Sequence, residues 1–229
     1  MLFAQTHHKP LLWTYARDVP LSPDDRSLSK EALHRKLVSF LHRHDQTTAH
    51  IPSFTPLVTG MPMRLTETVD RRRSLYRGRR VTLHGWTLPE DREFQEISST
   101  EWVCSKKPLV LYLQVPGAQW QISGLDVGVY PLTPRSRTWI VNKVTGCAAR
   151  RTGFFVTPDF ACTSHAVQGD TLEAVWASPK RPELRTNLQD MVTAYVIFSR
   201  VRSGGAIKLL NAFAPSCSRV DRLWVQVCC

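Results

Sequence analysis

Hydrophobic positions change their rhythm along this chain. After Ser22-Pro23-Asp24-Asp25, which reads as an N-cap, a first-turn proline and first-turn acids, Leu28, Leu33, Leu37, Val38, Phe40 and Leu41 recur close to the helical period. Lys30, Arg35, Lys36, His42 and Arg43 occupy much of the opposite face, so an amphipathic helix with a basic outer face is expected. From Pro62 to Val144 the period shortens. Stretches 81–86, 109–115, 119–122 and 138–144 are rich in β-branched and aromatic residues, separated by Gly78, Pro89, Pro108, Gly117, Gly124, Gly128, Pro131 and Pro134. Short strands at such spacing predict a small barrel, with Gly78 in a tight hairpin turn. Residues 90–101 are acidic and without apolar period, and are expected to be a mobile loop.

The last third alternates again. The apolar run Phe154-Phe155-Val156 and an expected turn at Pro158 lead into a loop and helix start holding His165 and Gln168. Ala174-Val175-Trp176-Ala177 and 206–210 read as strands, and Leu188, Met191, Val192 and Tyr195 restore helical spacing between them. The tail from Pro215 to Cys229 matches no pattern; Leu223 to Val227 reads equally as a strand or as disorder.

Composition narrows the class. A chain of 229 residues with 42% hydrophobic content is long enough for one substantial core and a smaller one. The net charge of +11 and sequence pI near 9.8 favour polyanionic partners such as nucleic acid. No apolar run reaches the length of a membrane span, and His7, His8 and Lys9 interrupt the first residues. The six cysteines show no Cys-x-x-Cys spacing, so no metal site is expected and reduced thiols in an intracellular compartment are the simplest reading.

The densest charge is Arg71, Arg72, Arg73, Arg77, Arg79 and Arg80 around Tyr76. Guanidinium groups beside an aromatic ring suit phosphate and base contact. A solvated turn, a nuclear-import patch and packing against Glu90 and Asp91 are alternatives for the same residues. Trp102 and Trp120, near expected loops, are candidate base-stacking platforms.

Two segments carry more specific chemistry. The first is Thr163 to Ala174 (TSHAVQGDTLEA) and the second Thr193 to Gly205 (TAYVIFSRVRSGG). The pattern Thr163, His165, Gln168, Gly169, Thr171, followed by Tyr195, Val196, Ser199, Arg200, resembles the last two motifs of superfamily-1 helicases of the RecD and Pif type. Segments 43–50, 56–70 and 75–86 resemble, less specifically, the entry to the SH3-like insertion of those enzymes. The likeness covers about residues 11 to 213.

The resemblance implies an α/β fold: a partial RecA-like lobe of the P-loop NTPase type, without the P-loop, with an inserted small SH3-like β-barrel. It implies a helical segment over 1–55, the β-rich insertion over 56–150, the lobe over 151–214 and a tail over 215–229. By the same likeness Thr163 and His165 meet the phosphates of single-stranded DNA, with RNA also possible. Gln168, Gly169 and Thr171 link strand contact to ATP, and Arg200 is the arginine finger. Arg71, Arg72, Arg73 and Arg77 would add strand contacts. The sequence contains neither the glycine loop with its lysine nor an apolar strand ending in Asp-Glu. ATP and Mg2+ would therefore belong to a complete enzyme whose N-terminal motor lobe comes from elsewhere. A non-catalytic nucleic-acid-binding module built on the same scaffold is the rival reading, and a β-rich protein-interaction scaffold a third.

Overall fold

The computed structural model describes residues 2–22, 25, 28–161, 169, 171–177 and 195–209. The chain divides into two compact units, Met1–Phe160 and Ala161–Cys229. The fold is mixed α/β, with several sheets and few helices.

Among the described residues the first unit has two α-helices, α1 (Leu2–Thr6) and α2 (Lys30–Leu41), a short 3-10 helix (Asp45–Thr47) and twelve strands. One sheet places β3 (Phe54–Leu57), β1 (Leu11–Tyr15), β7 (Glu101–Cys104) and β6 (Phe94–Ser98) side by side in that order. A second has the order β12 (Val156–Pro158), β4 (Pro62–Leu65), β5 (Arg80–Thr87), β8 (Val110–Gln114), β9 (Val129–Leu132), antiparallel throughout. Alternate residues of these strands, among them Leu57, Met63, Leu65, Val81, Leu83, Leu111 and Leu113, share one apolar core with Leu11, Leu12 and Cys104. The third sheet is β10 (Arg135–Asn142), β11 (Cys147–Gly153) and β2 (Arg17–Pro20), again antiparallel.

Several expectations change here. Helix α2 begins at Lys30 and is capped by Ser29, whose Oγ accepts the Ala32 N–H at 3.2 Å; Pro23 and Asp24 of the expected cap lie outside the described residues. Of its apolar residues Phe40 alone is fully buried. The first 55 residues supply β1, β2 and part of β3 as well as helix, so their apolar pairs lie on strands that close the core. Residues 90–101 contain β6, paired with β7. Every β6 side chain is exposed, and an edge strand wetted on both faces has no apolar period to betray it. Residues 119–122 form no strand; Trp120 C=O accepts the Gly128 N–H at 2.9 Å and folds this stretch into a loop. Pro158 ends β12 opposite Met63 instead of making a turn. Strand β3 spans residue 55, and β11 and β12 lie in the first unit.

Beneath the third sheet lies a fully buried guanidinium. Arg151 on β11 donates from Nε and Nη2 to both carboxylate oxygens of Asp18 on β2, at 2.9 and 2.8 Å. Its Nη1 reaches Ser53 Oγ at 2.9 Å and Ile51 C=O at 3.3 Å, and Nη2 also reaches Phe40 C=O at 2.8 Å. Each of the five guanidinium N–H bonds is thus assigned an acceptor. The group lies over Trp139, whose ring meets Phe40 edge-on at 5.1 Å.

In the second unit β13 (Val175–Ala177) runs parallel to β14 (Ile207–Leu209), and residues 195–198 are helical. Thr163, His165 and Gln168 lie outside the described residues, as do Leu188, Met191, Val192 and 210–229.

Asp18→Asn should destabilise the first unit by about 3–5 kcal/mol, because it strands a buried positive charge. The paired Asp18→Leu/Arg151→Met variant should recover much of that loss. Urea unfolding followed by near-ultraviolet circular dichroism tests both; a single-variant cost below about 1 kcal/mol would contradict the role given to the pair.

Candidate nucleic-acid interface

The arginine cluster occupies the connection between β4 and β5, and its shape follows from a few local bonds. Leu75, fully buried, plugs the loop into the core. Asp70 and Leu75 pair as an antiparallel bridge, with Leu75 N–H to Asp70 C=O at 2.8 Å, leaving Arg71 to Ser74 as the tip. Asp70 Oδ1 accepts the N–H groups of Arg72 at 2.9 Å and Arg73 at 3.3 Å, an Asx-type turn. The return uses Tyr76 to Arg79, closed by Arg79 N–H to Tyr76 C=O at 3.0 Å, with Gly78 at φ +85°. Gly78 takes a tight turn, on the return limb of this connection rather than at the tip of a hairpin.

The base of the loop is held by Asp159. Its carboxylate takes Nε and Nη2 of Arg64 at 2.8 and 3.2 Å, and Arg80 Nε lies 3.1 Å away. Arg64 Nη1 also donates to Gly78 C=O at 3.2 Å. Arg79 donates to Pro116 C=O at 3.0 Å, tying the loop to the segment that carries Trp120. Glu90 and Asp91 are not the partners; Asp91 pairs with Lys106.

These bonds separate the arginines into two kinds. Arg64, Arg79 and Arg80 are structural, and Arg73 Nη1 is held by Asp70 Oδ2 at 2.7 Å. Arg71, Arg72 and Arg77 are exposed, and their side chains meet no partner among the described residues. They project beside Tyr76, itself 48% exposed. Three cations on an ordered scaffold, without carboxylates to neutralise them, suit successive phosphates.

Sequence reasoning missed Asp70, Tyr130 and Arg135. Arg73 sits over the Trp120 ring, 5.7 Å from its centre, and Trp120 meets Tyr130 edge-on at 6.4 Å. Burial first, then the charge of Asp70, pushes the Tyr130 hydroxyl above its ordinary value, while Arg135 and Arg73 pull it down. Arg135 at the start of β10 therefore lies within electrostatic reach of this cluster. A lone acid before three arginines was the available signal for Asp70; Arg135 lies far along the chain and had none. Trp102, the other stacking candidate, is half-buried against the core.

In the second unit the structure brings Leu172, the residue after Thr171, against the backbone of Arg200. Leu172 N–H donates to Arg200 C=O at 2.7 Å, and Leu172 pairs with Val201 as a parallel bridge. Arg200 follows the 195–198 helix, and its Nε and Nη2 bond to Val196 C=O at 3.1 Å and Ser199 Oγ at 2.9 Å. Gly169 has φ +92°. Among the described residues no cluster of three metal-ligating side chains occurs, and no helix is long and apolar enough to cross a membrane.

No family model matches this sequence, and no curated protein matches it. Solved structures do. The Pif1 helicase of Candida albicans superposes with a TM-score of 0.52 at 16% identity, over 99% of this chain and 46% of that one. A Pif1 helicase from Bacteroides in complex with ADP-AlF3 and single-stranded DNA gives 0.46 at 13% identity, over 92% and 39%. The Candida superposition gives this chain a helicase-like fold. It spans about half the length of the Candida protein.

The Arg73 guanidinium, by its hydrogen bond, holds the Asp70 carboxyl below its ordinary value. A carboxyl depressed in the folded state stabilises above its unfolded value of about 3.9, and that contribution disappears as pH falls through the lower folded value. Thermal melts of wild type and Asp70→Asn should differ at pH 5 and converge on acidification toward pH 2; a gap that stays constant would contradict the pairing.

Proposed function

We propose that this chain supplies the C-terminal part of a superfamily-1 DNA helicase of the RecD and Pif type: the second RecA-like lobe with its SH3-like insertion. The observation that carries the reading is the backbone bond from Leu172 to Arg200. It joins the two motif segments within a unit whose β13 and β14 run parallel, in a chain with a helicase-like fold. In this reading Thr163 and His165 grip strand phosphates, Gln168, Gly169 and Thr171 connect that grip to the nucleotide, and Arg71, Arg72 and Arg77 make strand contacts of their own from the first unit.

Arg200 is the arginine finger. Its guanidinium donates to neutral oxygens of Val196 and Ser199, and a phosphate oxygen is a stronger acceptor than either. ATP with Mg2+ would supply the phosphoryl chemistry, bound mainly by a glycine-loop lobe outside this sequence. Alone, the chain is expected to grip the strand without hydrolysing ATP.

A second reading, a non-catalytic binding module, is favoured by the arginine loop, which is assembled within the first unit and needs no nucleotide. Following the gene upstream separates the two: a glycine-loop lobe in the same frame or on a partner chain supports the motor, and its absence favours the module.

Fluorescence anisotropy with a labelled single strand across a salt series tests the shared strand-binding claim. Each neutralised phosphate contributes roughly 0.7 to the slope of log affinity against log salt on single strands, so Arg71→Ala/Arg72→Ala/Arg77→Ala should lower the slope by about 2. Binding that ignores salt, or a triple variant indistinguishable from wild type, would contradict the assignment of this loop.

A further inference from the structure

Arg73 differs from its neighbours in having both its charge and its position taken up by the protein. Asp70 holds Nη1 at 2.7 Å and two backbone N–H groups of the same turn, so the guanidinium is anchored at its edge. Trp120 lies beneath it, and Tyr130 backs Trp120 from the core side. The loop that carries Trp120 is itself fixed: Gly128 N–H meets Trp120 C=O at 2.9 Å, Gln121 Nε2 meets Leu125 C=O at 2.8 Å, and Arg79 ties Pro116 to the arginine loop. The Arg73 side chain nevertheless remains 38% exposed.

A cation paired in this way adds little to phosphate attraction. What it offers instead is a flat, delocalised surface that is already ordered, beside three free arginines able to hold the backbone of a strand. Nucleobases stack on guanidinium planes as they do on aromatic rings, and an ordered plane loses little entropy when they do so.

We propose that Arg73, anchored by Asp70 and floored by Trp120, is a stacking platform for one unpaired nucleobase, with Arg71, Arg72 and Arg77 holding the adjoining phosphates. This rests on the strand-binding reading above and deepens it by separating a base subsite from the phosphate track. DNA and RNA strands share this chemistry, and oligonucleotides of either sugar distinguish them by affinity.

The test compares a short oligothymidylate with an abasic oligonucleotide of the same length and charge. Wild type should prefer the thymine strand by roughly 5- to 100-fold, the range one stacked base supplies. Arg73→Lys keeps the charge and the reach to Asp70 but loses the plane; the preference should collapse toward unity while the salt slope stays at the wild-type value. Arg71→Ala/Arg72→Ala should do the reverse, lowering the slope and keeping the preference. Melting curves establish that Arg73→Lys is folded, and Trp120→Leu provides a second route to the same loss of preference. A folded Arg73→Lys variant that retains the full thymine preference would overturn the platform and leave the strand-binding reading standing. Failure of the wild type to bind either strand at low salt would overturn both.

Discussion

The buried pair of Arg151 and Asp18 is the constraint on which the first unit turns. A charge taken fully out of water is tolerated only if its hydrogen-bonding capacity is met, and here the acceptors come from β2, from the end of α2 and from the 51–53 segment. Such a pair adds little net stability over an apolar replacement, but its geometry admits few alternatives. Satisfying one guanidinium fixes how a helix, a three-stranded sheet and an extended segment meet. Asp159 repeats the device at the other sheet, where Arg64 and Arg80 converge on one carboxylate at the foot of the arginine loop.

The same economy of acids explains the candidate interface. The chain has 30 basic and 19 acidic residues, so cations outnumber carboxylates by 11. Asp159 and Asp70 serve Arg64, Arg80 and Arg73, and Arg71, Arg72, Arg77 and Arg79 carry the remaining charge at the loop, Arg79 tied to Pro116 C=O. The loop is thus tied down by hydrogen bonds at its base and keeps its unpaired cations where it meets solvent. Leu75 in the core and Gly78 at its positive φ give that division a rigid frame. A preformed cationic surface loses less ordering entropy on binding than a flexible arginine-rich tail.

Strands with one buried face were readable in advance. Residues 81–86 and 109–115 fall on β5 and β8, and the short apolar runs near 175 and 207 fall on β13 and β14. Gly78 and the arginine cluster were visible because glycine conformation and charge density are local properties. Elements defined by partners were not. β6 is exposed on both faces; β1 was hidden because Leu11-Leu12-Trp13 gains meaning only between β3 and β7. Arg150 and Arg151 read alike, yet one is exposed and the other fully buried, since strand alternation turns them to opposite faces. The association of Arg73 with Trp120 depends on a loop more than forty positions away folding back, which no window reports.

The central claim is that a single strand lies along the arginine loop, and photochemical cross-linking tests it most directly. An oligonucleotide carrying a photoreactive thymine analogue, irradiated in complex with the full chain and mapped by peptide mass spectrometry, should label residues 70–80 and 116–128. Adducts confined to the outer face of the β10–β11–β2 sheet, with none in those two segments, would contradict the account.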